Sequence, residues 1–206
     1  MDIAVLYLAS GLSRRFGSNK LLFPVGGRPL FQYGFCHLQQ GLSYVAVPGI
    51  HWHVAVVTTY EEIARWCSAR GAAVYDNPWA SEGQAAAIRI GTKATAAADA
   101  WAYFVADRPR LKAATIASFL TGYVRSGRPA GAAAYDGHLA NPAIFSHLFY
   151  KELMDLRGDC GAGPVLRRHA KDCWSLPIAA QELEDIDRKE DAQRLERDWQ
   201  SHMGKP

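Results

Sequence analysis

Long apolar runs, paired cysteines and charge of one sign are all scarce in this chain of 206 residues, and each scarcity removes a class of protein. No stretch approaches the ~20 consecutive apolar residues that a membrane-spanning helix requires. The opening segment MDIAVLYLASG carries Asp2 and a short apolar run, unlike the basic segment and long apolar core of a secretory leader, so the expectation is a cytoplasmic protein without membrane attachment. The four cysteines, Cys36, Cys67, Cys160 and Cys173, show neither C-x-x-C spacing nor a companion histidine pattern; reduced thiols are expected rather than a zinc knuckle or a redox pair. With 23 basic against 20 acidic residues, the net charge of +3 is too small and too scattered to mark a nucleic-acid-binding face. Seven histidines offer no ligand or nucleophile spacing, and six tryptophans are dispersed as packing residues are.

What the chain does have is the makings of one folded domain, with 49% hydrophobic and 21% charged residues. Asp2 to Leu8 reads as a strand buried on both faces and stopped by Ser10-Gly11. A helix is expected over Pro29 to Gln40, a strand over Val54 to Thr58, a helix over Tyr60 to Arg70 and a strand over Ala72 to Tyr75. Glu82 to Ala97 reads as an alanine-rich helix, Trp101 to Val105 as a strand stopped by Asp107-Arg108-Pro109, and Lys112 to Arg125 as a helix. The remainder is less regular. Strand-like runs at 130–135, 142–145 and 174–176, a helix at 147–156, a polar glycine-rich stretch at 157–163 and a final amphipathic helix at 189–202 suggest a small cap.

Alternating β and α segments with continuous apolar strands predict an α/β fold of Rossmann-like kind, a mostly parallel sheet with helices on both faces. Ligands of such sheets bind beyond the carboxyl ends of the strands, which directs attention to the loops after Leu8 and after Val105. The first of these, Gly11 to Lys20, contains glycines, backbone donors and cations suited to a polyphosphate. It is not a P-loop, because five residues rather than four separate Gly11 from Gly17 and the lysine comes three positions after the second glycine; a G-x-G-x-x-G is absent too. A basic surface turn would account equally for glycines and cations alone.

The complete segment Leu8-Ala-Ser-Gly-Leu-Ser-Arg-Arg-Phe-Gly-Ser-Asn-Lys20, however, resembles the L-x-x-G-x-S-x-R-x-G-x-x-K signature of the nucleotidyltransferases that include the molybdenum-cofactor cytidylyl- and guanylyltransferases. That resemblance implies a single domain over 1–206 of the nucleotide-diphospho-sugar transferase type, its nucleotide-binding part at about 1–110 and its acceptor-side part at about 111–206. It also implies that Leu8, Ala9, Ser10, Gly11, Ser13, Arg15, Gly17 and Lys20 wrap a nucleoside triphosphate, with Arg15 and Lys20 acting on the phosphates. Arg14 reads as a solvated neighbour. Asn77-Pro-Trp-Ala-Ser-Glu82-Gly83 resembles the family's N-P-x-x-x-x-G segment, which implies that Asn77, Glu82 and Gly83 hold the nucleotide. Glu82 would also suit a helix start.

Asp107-Arg-Pro109 resembles the family's D-x-P, in which the aspartate holds magnesium, and Asp185-Ile-Asp187-Arg-Lys-Glu-Asp191 resembles its D-I-D-T-P-E-D. Asp107 and Asp187 are thereby the implied magnesium ligands, carboxylates being the ligands a hard cation takes. Asn141-Pro142-Ala-Ile-Phe145 and Arg157-Gly158-Asp159-Cys160-Gly161 resemble segments that line the acceptor side in the family. The implied reaction is transfer of a nucleoside monophosphate, CMP by preference because Ser10 narrows the space beside a purine, to a molybdopterin-type acceptor, with a molybdenum hydroxylase as eventual partner. Two other readings stay open: transfer to a sugar phosphate or another phosphorylated metabolite, and a non-catalytic accessory protein that delivers cofactor. The departures from the family fall mostly on the acceptor side, where Arg108 replaces an uncharged residue, Cys160 a lysine and Gly163 a basic residue; Arg188-Lys189 stands for Thr-Pro.

Overall fold

The computed structural model describes residues 1–203. Strand β1 (Asp2–Ala9) sends Ile3, Val5, Tyr7 and Ala9 into one apolar layer and Ala4, Leu6 and Leu8 into another, as period-two alternation in a doubly covered strand requires. A loop leads to a two-stranded ribbon of β2 (Pro24–Val25) and β3 (Arg28–Pro29) and then to α1 (Leu30–Tyr44), which buries Leu30, Phe31, Phe35 and Leu38 at helical spacing. Removing a side chain such as Phe35 from water contributes about 1.5–3 kcal/mol. Next come β4 (His51–Thr58), α2 (Glu61–Ser68) and β5 (Ala73–Asp76). Glu61 and Glu62 fall in the first turn of α2, where carboxylates complement the helix dipole.

The expected helix over 82–97 is shorter. Ala80–Glu82 forms a 3-10 turn, Gly83 adopts φ +93°, and only then does α3 (Gln84–Ala94) begin. Strand β6 (Ala100–Val105) and α4 (Ala113–Ser126) follow, and α1 packs against α4. The second half then departs from the sequence reading. The run at 130–135 is β7 (Ala130–Tyr135), and an Asp136-Gly137 turn, with φ of +48° and +73°, reverses the chain into β8 (His138–Ser146), longer than the expected 142–145. The expected helix at 147–156 is a 3-10 turn followed by the short α5 (Tyr150–Met154), and α6 (Gly163–Arg168) begins where the expected glycine-rich stretch at 157–163 ends. Strand β9 (Cys173–Pro177) and α7 (Lys189–Met203) complete the order.

Seven strands form one sheet in the order β5-β4-β1-β6-β8-β7-β9, so the runs at 130–135, 142–145 and 174–176 that suggested a small cap are instead strands of the central sheet, extending it beyond β6. All neighbouring pairs are parallel except β6–β8 and β7–β8, so the mostly parallel expectation holds with β8 as the reversed strand. One face carries the core of Phe31, Phe35, Ile116 and Phe119 beneath α1 and α4; the other carries Ala85, Ile88, Leu153, Val165 and Leu166 beneath α3, α5 and α6. A third, smaller core joins Phe16, Val25 and Leu30 to Ile186, Ala192 and Leu195, so the first loop and the last helix share one packing unit.

The order of connection creates a switch point. From β1 the chain steps outward to β4 and β5, then returns to β6 on the other side of β1. The loops leaving β1 and β6 therefore diverge and leave a crevice at their carboxyl ends. All four cysteines are free, and burial pushes the Cys67 thiol up to about 12 and the Cys173 thiol to about 11, so both stay protonated. Among the described residues no helix is long and apolar enough to cross a membrane.

Candidate active site

The loop after β1 is stitched down at its start. Ser10 Oγ donates to the Val57 carbonyl at 2.9 Å, Thr58 Oγ1 to the Ala9 carbonyl at 2.8 Å, and the Tyr60 hydroxyl to the Gly11 carbonyl at 2.8 Å. Ser13 then takes φ +53°, its carbonyl accepts the Phe16 N–H at 2.9 Å, and its Oγ accepts the Lys20 N–H at 3.1 Å. A non-glycine residue holds a positive φ only where its surroundings fix it, and these two bonds do so. Gly17, at φ +77°, completes the reversal. Buried Phe16 pins the loop on Ile186, Ala192 and Leu195, which carries the 185–187 segment to the loop's side.

That packing assembles the charged centre. Lys20 Nζ donates to Asp107 Oδ2 at 2.8 Å and to Asp187 Oδ1 at 3.1 Å, and Arg15 Nη1 reaches Asp187 Oδ2 at 3.1 Å. Although both sit in the same loop, the Lys20 side chain is 9% exposed while that of Arg15 is 74% exposed. Burial by itself lowers the Lys20 pKa, but the charge of Asp107 and the hydrogen bonds from Asp107 and Asp187 outweigh it and hold the pKa above the ordinary lysine value. Asp107 and Asp187, 24% and 46% exposed, thus face one ammonium from two separate loops.

Beside this centre opens a cleft of about 840 Å³, within the range of pockets for small molecules. Leu8 at the end of β1 and Ser10, Gly11, Ser13, Arg15 and Lys20 of the first loop line it, with Glu82 and Gly83 from the turn before α3. Asp107, Asp187, Asn141, Asp159 and Gly161 line it as well. A shallower hollow of about 410 Å³ adjoins the loop's outer edge, where Arg14, Gly17, Arg188 and Lys189 gather.

The MobA-like NTP transferase domain matches the chain over residues 5–173. The chain belongs to that family. No curated protein matches it. Solved structures resemble it throughout their length at low identity, and so speak for the fold. Molybdopterin-guanine dinucleotide biosynthesis protein A of Archaeoglobus fulgidus aligns at 17% identity with a TM-score of 0.67, covering 98% of this chain and 100% of its own. A CMP:2-keto-3-deoxy-manno-octonic acid synthetase complexed with CTP aligns at 12% and 0.73, covering 98% and 100%. The Rv0371C protein of Mycobacterium tuberculosis H37Rv, in complex with manganese, aligns at 18% and 0.71, covering 96% and 99%.

Within this MobA-like domain, several residues singled out from sequence lie off the cleft wall. Ala9 is buried below the loop, and Gly17 faces the shallower hollow. Asn77 is fully buried; its Oδ1 accepts the Trp79 N–H at 3.1 Å and orders the turn that brings Glu82 and Gly83 to the cleft. Pro142 follows Asn141 through a cis peptide, and Gly158 supplies the carbonyl that accepts the Ala85 N–H at 3.3 Å. Gly83 permits the approach of the 158–159 backbone, since a Cβ there would stand 2.5 Å from Asp159 Cα. The 158–159 loop is thereby docked on the start of α3.

Sequence reasoning missed one cluster. Arg108 Nε donates to Asp185 Oδ1 at 2.6 Å, its Nη2 to Asp185 Oδ2 at 3.5 Å, and its Nη1 to the Asn141 carbonyl. All three residues line the cleft. The available signal was the unusual arginine inside the D-x-P motif.

Proposed function

We propose that this protein is a magnesium-dependent nucleotidyltransferase that moves CMP from CTP to a molybdopterin-type acceptor and releases pyrophosphate. The observation that carries the reading is the convergence of Asp107, Asp187, Lys20 and Arg15 beside a nucleotide-sized cleft at the switch point of the sheet. Family membership supports nucleotidyl transfer, the CTP bound by one fold neighbour and the manganese held by another support the cofactor set, and the molybdopterin-guanine dinucleotide protein supports the acceptor.

The carboxylates fit magnesium. Asp107 and Asp187 are two partly exposed carboxylates directed at one point, and magnesium takes one or two protein carboxylates together with phosphate oxygens and water. When bound, the ion neutralises charge on the phosphates and aligns them for displacement. The chain's own groups do the rest. Arg15 offers a planar fork to phosphate oxygens at the open edge, and Lys20, a compact charge held inside, compensates negative charge as pyrophosphate departs. Gly11 and Ser13 bring backbone close to the phosphates, and Glu82 and Gly83 border the base. An in-line displacement at the α-phosphorus is chiefly positioning and charge compensation, so these roles suffice without a protein nucleophile.

The decisive experiment is a thermal-shift series with CTP, GTP, ATP and UTP, each with and without magnesium, followed by mass spectrometry of the product formed with molybdopterin. Magnesium-dependent stabilisation by CTP and a cytidylylated product are expected. Equal or better use of GTP overturns the base assignment, binding without pyrophosphate release overturns catalysis in favour of cofactor delivery, and transfer to a sugar phosphate instead overturns the acceptor.

A further inference from the structure

We propose that Arg108 is a specificity-determining residue that binds the phosphate monoester of the acceptor, on the side of the metal-site carboxylates opposite the triphosphate loop. This rests on the nucleotidyl-transfer reading above.

Topology gives the two sides. The carboxyl end of β6, which presents Asp107, lies between β1 and β8 in the sheet. The loop after β1 brings Arg15 and Lys20 to the carboxylates from one flank. Arg108 is the residue next to Asp107, yet its guanidinium reaches the Asn141 carbonyl of β8, on the other flank, while also holding Asp185. Arg108 thus flanks the centre on the side opposite Lys20, and because Asp185 offsets part of its charge, it contributes chiefly aimed N–H donors. In an in-line displacement the leaving pyrophosphate and the entering oxygen occupy opposite faces of the α-phosphorus, and both are anionic when the acceptor is a phosphate. A cation on the entering side lowers the repulsion between two anions that must come into contact.

Arg108 is built for that task. Its side chain is 13% exposed and it lines the cleft, so its charge is set in a partly desolvated wall rather than in free solvent. Its five N–H donors make three hydrogen bonds, to the two Asp185 oxygens and to the Asn141 carbonyl, leaving donors on both terminal nitrogens for phosphate oxygens. Asp185 and the Asn141 carbonyl fix the plane of the fork in advance, and a guanidinium so held recognises phosphate by geometry as well as charge. No bond is made or broken by Arg108.

The test uses inorganic phosphate as the probe of the acceptor group. Wild type, Arg108→Met and Arg108→Lys are each titrated with phosphate by calorimetry, alone and with magnesium and α,β-methylene-CTP, and CTP-analogue affinity and melting temperature are recorded for each. Wild type with analogue bound is expected to take up phosphate; Arg108→Met should weaken that binding tenfold or more while changing analogue affinity less than about twofold, and Arg108→Lys should fall between, since it keeps charge without the fork. Phosphate affinity unchanged in Arg108→Met, or no phosphate uptake by the wild-type analogue complex, overturns the proposal. Failure of wild type to bind the analogue overturns the nucleotidyl-transfer reading instead, and phosphate titrations of the nucleotide-free proteins then still decide whether Arg108 holds an anion.

Discussion

Lys20 Nζ lies 2.8 Å from Asp107 Oδ2, so the buried cation of the first loop already occupies a carboxylate that the metal reading requires. The two demands on Asp107 compete. Removing the ammonium in Lys20→Met should tighten binding of manganese alone about threefold or more, because the carboxylates lose their internal counter-ion, while weakening CTP binding at least tenfold, about 1.4 kcal/mol. Metal titration without nucleotide and nucleotide titration with metal read the two effects separately. Looser binding of both would show that Lys20 only supports the fold.

The same pairing gives a pH dependence. The Lys20 pKa is raised above its ordinary 10.5 in the folded protein, so the pair's contribution to stability is fully present below that value and is lost as pH rises through the higher folded value. The difference in melting temperature between wild type and Lys20→Met should stay flat from pH 7 to about 10 and shrink only beyond it. A gap that closes near neutrality would contradict the coupling of Lys20 to Asp107 and Asp187.

Asp107→Asn and Asp187→Asn should each remove most metal-dependent turnover, and the double variant should be little worse than either, since residues that act as a unit are not additive. Asp185→Asn, whose carboxylate is engaged by Arg108 rather than by Lys20, should leave manganese affinity within about twofold of wild type. Steady-state rates across a metal titration separate these cases; a strong Asp185 effect on metal affinity would transfer the ligand role to it.

Gly83→Ala should cost about 2–4 kcal/mol. Its φ of +93° and ψ of −171° belong to a region open essentially to glycine alone, and a Cβ would meet the Asp159 backbone at 2.5 Å. A drop of about 5 °C or more in melting temperature is expected. A smaller drop would mean that the 158–159 loop yields easily and is not firmly docked on α3.

The parts of the fold that were legible are those with strong local pattern. β1, β4 and β6 announce themselves as apolar runs, the first closed by Ser10-Gly11 and the last by Asp107, and their order places Ser10 and Asp107 at adjacent strand ends. β7 is nearly all alanine and glycine, a weak strand signal, so the Asp136-Gly137 hairpin and the reversal of β8 went unread although the turn dipeptide was present. α6 opens with Gly163-Pro164 and runs six residues; it exists because Val165 and Leu166 are buried, a tertiary cause that local sequence does not display. Asp107 and Asp187 were legible from motif order, but the burial of Lys20 between them was not. The Arg108–Asp185 pair spans 77 positions, and nothing in the sequence says which of many charges will meet.

The small core of Phe16, Ile186 and Leu195 ties the charged centre to the docking of α7. Arg15 and Asp187 meet across 172 positions, so their contact is held by tertiary packing around α7 rather than by local sequence. The central sheet and its two large cores involve other residues. Opening of α7 alone would therefore dismantle the Lys20–Asp187 and Arg15–Asp187 contacts while leaving the sheet standing, which makes the integrity of the site a local equilibrium distinct from the stability of the domain.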